Sequence, residues 1–397
     1  MKKILFIAPS CFPVTSAEAI VNYNLLKVLK NAGYIIDVVS RSHPNQIYPD
    51  STITGDISLN SINIIPTDTK RSLSNYLKHL LAYTRFGITY SGAHWAYTAL
   101  PIVKSLLSKT KYDVVITKDL PSELLGIYIK KKYGIKWIAT WNDPYPVCKY
   151  PYPYGKGVDA QLPFGQKKLV KYMNKYVDIH IFPSERLKNY MLKYLDVPKE
   201  KTIVVPHVVL PETNINASSN GYINLIHSGS LKFPRNPECL LKAYSKFRED
   251  YPNAKIKLDF LGYNQNVSDI AKEIGIEKYI KILKPVNYDE ALKIVSSYQI
   301  ALIIEAPCEE GIFLPTKVGD YLKCGLNILA ISPSKGVLND LYCSGKIKYF
   351  ADCQNVDDIY NELVKIWDDY TNRKQDKLGI PFEFSPNYIN KQYQRII

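Results

Sequence analysis

The feature that most constrains this 397-residue chain is an alternation of short apolar runs and helical patterns that is played through twice. Strand-length runs stand at Ile4 to Ala8, Ile35 to Val39, Asp113 to Thr117, Lys136 to Thr140, Asp178 to Phe182 and Thr202 to Val205. Helical patterns fall among them, at Ala17 to Ala32, Ser122 to Tyr133, Gly165 to Tyr176 and Ser184 to Leu195. Short runs apolar on both sides and separated by helices predict a parallel sheet covered on both faces. The Asn/Ser-rich stretch Pro211 to Asn220 lacks hydrophobic periodicity and reads as a linker. The alternation then restarts, with strands expected at Tyr222 to His227, Lys255 to Leu261, Tyr279 to Leu283, Gln299 to Ile304, Asn327 to Ile331 and Ile347 to Phe350. Helices follow at Tyr360 to Tyr370 and Pro386 to Ile397. The fold class expected is α/β, with two doubly wound, Rossmann-like domains over residues 1–210 and 221–380 and a cleft between them. Ligands in such sheets bind at the carboxyl ends of the strands.

Composition narrows the function. Hydrophobic content of 46% and charged content of 22% are those of a globular protein, and no apolar run reaches membrane-spanning length. The apolar run after Met1-Lys2-Lys3 is too short for a signal peptide and lacks a small-residue cleavage site, which predicts a buried first strand. Seven scattered cysteines without a CxxC argue for reduced thiols in the cytoplasm and against a zinc site. A formal charge of +14 fits an anionic partner, either a diphosphate substrate or an anionic membrane, or simply Lys-rich residue usage. No nucleic-acid-binding motif accompanies it. The first βα turn, Pro9 to Ala17, holds no glycine, which excludes a GxGxxG dinucleotide site there.

Two loops carry candidate chemistry. In Leu314-Pro315-Thr316-Lys317-Val318-Gly319-Asp320-Tyr321-Leu322, Pro315 and Thr316 signal a helix start and Gly325 a stop. The opening amides and Lys317 would suit a phosphate, and Asp320 a ribose hydroxyl pair. The second loop, Gly229-Ser230 to Arg235, follows a strand and offers backbone and an Arg that can fork onto phosphate oxygens. Asp143 ends an apolar strand, where it either meets an acceptor hydroxyl or forms an Asn-Asp-Pro turn. The loop beyond it carries Tyr145, Tyr150, Tyr152, Tyr154 and Phe164, which form either a sugar platform or a covering loop. His207 and His227 each follow a strand, as site lining or as satisfied interior residues. The basic, amphipathic stretch Lys70 to Phe86 either lies on an anionic membrane or packs on its own domain.

In order and spacing these segments resemble the retaining glycosyltransferases of family 4, which have the GT-B fold. Pro315-Thr316-Lys317 with Asp320-Tyr321-Leu322 is similar to that family's donor signature, and Gly229 with Arg235 to its glycine and basic phosphate ligand. Tyr112 to Ile116 and Trp137 to Tyr145 resemble two further family stretches. The resemblance implies an N-terminal acceptor domain, a C-terminal donor domain, and a final helix, residues 381–397, that crosses back onto the first domain. It implies donor contacts from Gly229, Ser230, Arg235, Glu309, Glu310, Leu314, Thr316, Lys317 and Asp320. Acceptor contacts would come from Thr15, Ser16, Asp143 and Tyr145, and catalysis from Asp143, Arg235 and Lys317.

There are departures. Ile312 stands where the family commonly has a Glu, with Glu309 and Glu310 just before it; Ser230 replaces an Arg; and Thr15-Ser16-Ala17 replaces a Gly-Gly. The function implied is transfer of a sugar from a nucleotide sugar to a surface-glycan or lipid-linked saccharide acceptor. No metal or other cofactor and no nucleic acid is expected, and the setting expected is cytoplasmic, possible also at the inner membrane face. A nucleotide-sugar epimerase and a catalytically inactive scaffold on the same fold are the rival readings. The base, sugar, linkage and oligomeric state are not legible.

Overall fold

The computed structural model describes residues 1–14, 16–42, 57–66, 72–88, 90, 92–211, 221–372 and 378–397. Two compact units emerge. One comprises Met1–Tyr150, Gly157–Val208 and Pro386–Ile397; the other comprises Pro151–Lys156 and Val209–Ser385. The linker expected at 211–220 lies, save for Pro211, outside the described residues.

The first unit begins β1 (Lys3–Ile7), α1 (Ala17–Asn31), β2 (Ile35–Ser42), β3 (Ser61–Pro66), α2 (Leu73–Phe86) and α3 (Ala93–Lys109). It continues β4 (Val114–Lys118), α4 (Ser122–Tyr133), β5 (Lys136–Thr140), α5 (Phe164–Tyr176), β6 (Ile179–Phe182), α6 (Glu185–Met191) and β7 (Thr202–Val204). Among the described residues these strands pair in the order β3-β2-β1-β4-β5-β6-β7, all parallel. β4 is buried throughout, and only the first residue of β1 and of β5 is partly exposed, as strands covered on both faces must be. Strand β3 escaped the sequence reading because Ser61, Asn63 and Pro66 dilute it and only Ile65 of it is buried. It sits at the sheet edge, where such residues are tolerated. α6 is shorter than the Ser184 to Leu195 pattern, ending at Met191 in tight turns to Leu195.

The second unit runs β8 (Ile223–Ser228), α7 (Glu238–Asp250), β9 (Ile256–Leu261), α8 (Gln265–Ile274), β10 (Ile280–Leu283), α9 (Tyr288–Ser296) and β11 (Ile300–Ile304). It ends with α10 (Lys317–Lys323), β12 (Asn327–Ser332), α11 (Val337–Cys343), β13 (Tyr349–Asp352) and α12 (Val356–Thr371). α12 is a full turn longer at its start than the Tyr360 to Tyr370 pattern, because Asn355 caps it by accepting from the amides of Asp357 and Asp358. Strand order is β10-β9-β8-β11-β12-β13, again parallel. One apolar cluster, including Leu225, Leu258, Leu302 and Leu329, fills one face of this sheet. A second, including Ile226, Ile303, Ile328 and Val318, fills the other. The last helix, α13 (Pro386–Ile396), belongs to the first unit and packs on α1.

Both sheets reverse direction of winding once: between β1 and β4 in the first, and between β8 and β11 in the second. The loops that leave these strands flank a crevice at each reversal, which is where such sheets hold ligands.

Candidate functional site

At the second unit's reversal, β8 ends in His227-Ser228-Gly229 and β11 is followed by Glu305. Gly229 has φ +110, and its amide donates to Leu261 O at 2.6 Å. A Cβ built there would stand 2.9 Å from Lys317 Nζ. The left-handed φ favours a glycine here, and its missing side chain leaves room for the Lys317 ammonium against this backbone. Lys317 opens α10, and that helix is tied to β8 by Tyr321. The Tyr321 hydroxyl accepts from Ser228 N at 3.0 Å and donates to Leu302 O at 3.3 Å.

The ammonium's nearest partner is His227. The His227 Nδ1 faces the Leu302 carbonyl at 3.1 Å, so it carries the ring proton, and Nε2 accepts from Lys317 Nζ at 3.1 Å. Burial, then the charges of Lys317 and Arg235, hold the imidazole pKa well below its ordinary value, so the ring is neutral. Burial, then Arg235, lower the Lys317 pKa to about 8. The Lys317 ammonium thus lies against the Gly229 backbone within the field of a second cation, Arg235.

Arg235 is held by an acid that the sequence reading missed. Its Nε lies 3.4 Å from Glu305 Oε2, and the Tyr154 hydroxyl donates to the same oxygen at 3.3 Å. The Tyr154 ring stands edge-on to Phe313 at 5.4 Å. Glu305 was legible in principle, as a carboxylate placed directly after the uninterrupted apolar run Ile300 to Ile304. Tyr154 belongs to the hexapeptide that packs with the second unit, a placement no periodicity encodes.

The other residues that the resemblance implies at a donor are placed as follows. Asp320 Oδ1 accepts from Tyr288 OH at 2.5 Å, and Tyr288 is set by the Asn287 cap of α9. Leu314 packs in the core, while Thr316 precedes α10 without a side-chain capping bond. Ser230 follows Gly229, partly exposed. Glu310 pairs with Lys335 at 3.4 Å, Glu309 is exposed, and Ile312 is fully buried. One expectation needs correction. The amides of Val318 and Gly319, read as open to a phosphate, are bonded to Pro315 O and Thr316 O, each at 3.0 Å. In a helix of only seven residues, the opening amides are thus already paired within the chain.

The first unit's reversal carries a polar cluster of its own. Asn142, just past β5, donates from Nδ2 to Glu18 Oε1 at 2.7 Å and lies 3.4 Å from Asp119 Oδ2. Its Oδ1 faces Lys118 Nζ at 3.5 Å. Asp119 holds φ +54, the one positive φ among the described non-glycine residues. Burial raises the Glu18 pKa and lowers that of Lys118 to about 8. Sequence reasoning missed Glu18, Lys118 and Asp119, because each alone resembles an ordinary helix-start or strand-end charge. Asp143 is exposed beside this cluster and hydrogen-bonds Tyr150. Ser16 caps α1, accepting from Ala19 N at 3.2 Å. Tyr145 is 6% exposed, with its ring against Tyr90, so it presents no face to a ligand; Tyr152 and Phe164 are the exposed rings. Thr15 lies outside the described residues. Among the described residues, no group of three His, Cys, Asp or Glu is arranged to hold a metal.

Two parallel sheets wound in this way make the GT-B fold. Residues 19–212, just under half of the chain, match the family model described as Glycosyltransferase Family 4. Solved structures similar to it over its whole length include HepE of Anabaena, in complex with UDP and glucose, at 12% identity and TM-score 0.65, covering 100% of this chain and 99% of that one. Sucrose-phosphate synthase of Thermosynechococcus elongatus matches at 13% identity and TM-score 0.67, covering 100% and 98%. The lipopolysaccharide outer core galactosyltransferase WaaB, in its apo form, matches at 14% and 0.61, covering 99% and 98%. No curated protein matches the sequence.

Proposed function

We propose that the chain moves a sugar, with retention of anomeric configuration, from a nucleoside diphosphate sugar to a surface-glycan or lipid-linked saccharide acceptor. The observation that carries this reading is Lys317 against the Gly229 backbone within the field of Arg235, with Asp320 one helical turn beyond Lys317. In this reading the two cations hold the diphosphate, and Asp320 takes the ribose hydroxyls. The bond from the anomeric carbon to the phosphate oxygen breaks as the acceptor oxygen bonds to the same face of that carbon. The acceptor proton passes to the departing phosphate oxygen. Lys317 and Arg235 stabilise the charge that develops there, with no metal required of the mechanism. Asp143, with Glu18 and Lys118 behind it, would order the acceptor hydroxyl. HepE of Anabaena has been solved with UDP-glucose, which makes UDP sugars the first donors to try.

A membrane-borne acceptor fits α2. Leu73, Tyr76, Leu77, Leu80 and Leu81 follow helical spacing, and all are exposed, between 44% and 76%. Only Asn75, Ala82 and Phe86 of that helix are buried. The apolar stripe is thus turned outward, with Arg85 exposed on the same helix and Lys78 partly so. Lys70 and Arg71 lie outside the described residues. We assign this stripe to an anionic membrane surface, placing the enzyme peripherally on the inner face. No described helix is long and apolar enough to cross a membrane.

The test is turnover. Purified protein is incubated with UDP and GDP sugars and with a lipid-linked saccharide extract, and product configuration is read by NMR. Transfer with retention supports the reading. Interconversion of a free nucleotide sugar identifies an epimerase, and nucleotide binding without any turnover identifies a scaffold.

A further inference from the structure

Strands covered on both faces are apolar along their whole length. β11 and β12 obey this, with every residue buried. β9 does not. Ile256, Leu258 and Phe260 enter the core, while Lys257 between them is exposed and Asp259 turns to the Tyr298 hydroxyl at 2.6 Å. On β10, Lys281 is likewise exposed. Alternation of this kind marks a sheet face in contact with water. A groove of about 690 Å³ occupies the place, along the amino-terminal ends of β8, β9 and β10.

Its lining is cationic. Arg248, Lys255, Lys257, Lys278 and Lys281 face it, against a single carboxylate, Asp259, already bonded to Tyr298. Two aromatic rings are built in beside these charges. Lys257 Nζ lies 4.1 Å from the Tyr222 ring centre, and Arg248 Cζ lies 4.5 Å from that of Tyr279. The Arg248 guanidinium is fixed in advance, donating to Ala254 O at 2.6 Å and Pro252 O at 2.9 Å. Gly229 and Glu305 stand at the other, carboxyl ends of these strands and their neighbour β11, so at least about 10 Å of strand separates the groove from the proposed donor site.

We propose that this groove is a second binding site, and that it takes a segment of an anionic saccharide chain. Fixed cations next to tyrosine faces suit alternating acid groups and sugar rings. A concave, lysine-lined surface, in which Ile256 is buried and Ile280 only partly exposed, is unsuited to a lipid bilayer, which meets apolar, convex surfaces. The site would tether a growing charged glycan to the enzyme between turnovers, and its existence does not depend on the donor reading.

The test is fluorescence anisotropy of the full chain with a labelled heparin-derived hexasaccharide as the probe, at physiological ionic strength. Neutral maltohexaose, polyphosphate and anionic vesicles are the comparators. Lys257→Glu combined with Lys281→Glu is expected to weaken hexasaccharide binding by about tenfold or more. The charge-matched pair Lys167→Glu with Lys171→Glu, exposed on α5, is expected to change it by less than about threefold. Tyr222→Ala is expected to lower affinity for the hexasaccharide and leave that for polyphosphate unchanged. Equal losses in both charge-reversed pairs would overturn the proposal, as would absence of hexasaccharide binding. Tyr222→Ala acting equally on polyphosphate, or vesicles competing through the groove, would overturn the saccharide assignment. Retention of the wild-type melting temperature by the groove variants shows that any loss is not unfolding.

Discussion

Replacing Gly229 by alanine would probe the donor site with a single methyl group. The added Cβ falls 2.9 Å from Lys317 Nζ and 3.0 Å from its Cε, too close for Lys317 to keep its present position. The flexible end of Lys317 must therefore shift away from the Gly229 loop, which disturbs its bond to His227 Nε2. The backbone at φ +110 adds a strain of about 1–3 kcal/mol against the fold. Loss of one charge-assisted bond to a phosphate costs binding about 1.5–3 kcal/mol. That is about ten- to a hundred-fold in the dissociation constant for UDP. Titration calorimetry with UDP reads the binding term, and thermal melting without nucleotide reads the strain. The pair with Lys317→Ala isolates the mechanism. Once the ammonium is gone the methyl has nothing to displace, so Gly229→Ala in the Lys317→Ala background should cost little further affinity. Wild-type UDP affinity in Gly229→Ala, or full additivity in the double variant, would refute the steric coupling.

Three other outcomes follow from the same geometry. Lys317 has a pKa lowered to about 8 in the free protein, and an anion requires its charged form, so UDP affinity should fall as pH rises through and above about 8 and be flat below pH 7; calorimetry across that range checks it, and the dependence should vanish in Lys317→Ala. Glu123 is fully buried in α4 with its pKa raised by burial to about 8, so its contribution to stability is complete below its ordinary value and is lost as pH rises through about 8. Glu123→Gln should therefore melt higher than wild type at pH 9, by an amount worth on the order of a few kcal/mol, and the gap should close toward pH 5. Tyr321→Phe leaves the Ser228 amide without its acceptor inside the fold; chemical denaturation should show a loss of about 1–3 kcal/mol, with UDP affinity reduced as α10 loosens from β8.

Much of the fold was written in the sequence because parallel strands covered on both faces leave an unmistakable mark. Val114 to Ile116 and Ile300 to Ile304 are apolar throughout, with nothing to confuse with a loop. Edge strands do not share that property, and β3, with its alternating Ser61 and Asn63, went unread. Lys317, Arg235 and Gly229 were legible as a set because each stands at a fixed offset from a strand end. Their partners were not. His227 is tied to Lys317 across 90 residues and Tyr154 to Glu305 across 151, and spacing along the chain carries no trace of such pairs. The same holds for Glu18 and Asn142, which meet only because β1 and β5 flank β4 in one sheet. The amphipathic stretch before Phe86 was read correctly as a stripe, but its direction is a property of the packed unit. Asn75, Ala82 and Phe86 take the interior, and the leucines face out.

The central claim is that the second unit holds a nucleoside diphosphate between Lys317, Arg235 and the Gly229 loop. A crystal structure of the chain soaked with a UDP sugar tests it most directly. The account predicts diphosphate oxygens within hydrogen-bond distance of Lys317 Nζ, the Arg235 guanidinium and the Gly229–Ser230 backbone, with ribose hydroxyls on Asp320. A nucleotide bound elsewhere, or in that place without contact to Lys317 and Arg235, would contradict it.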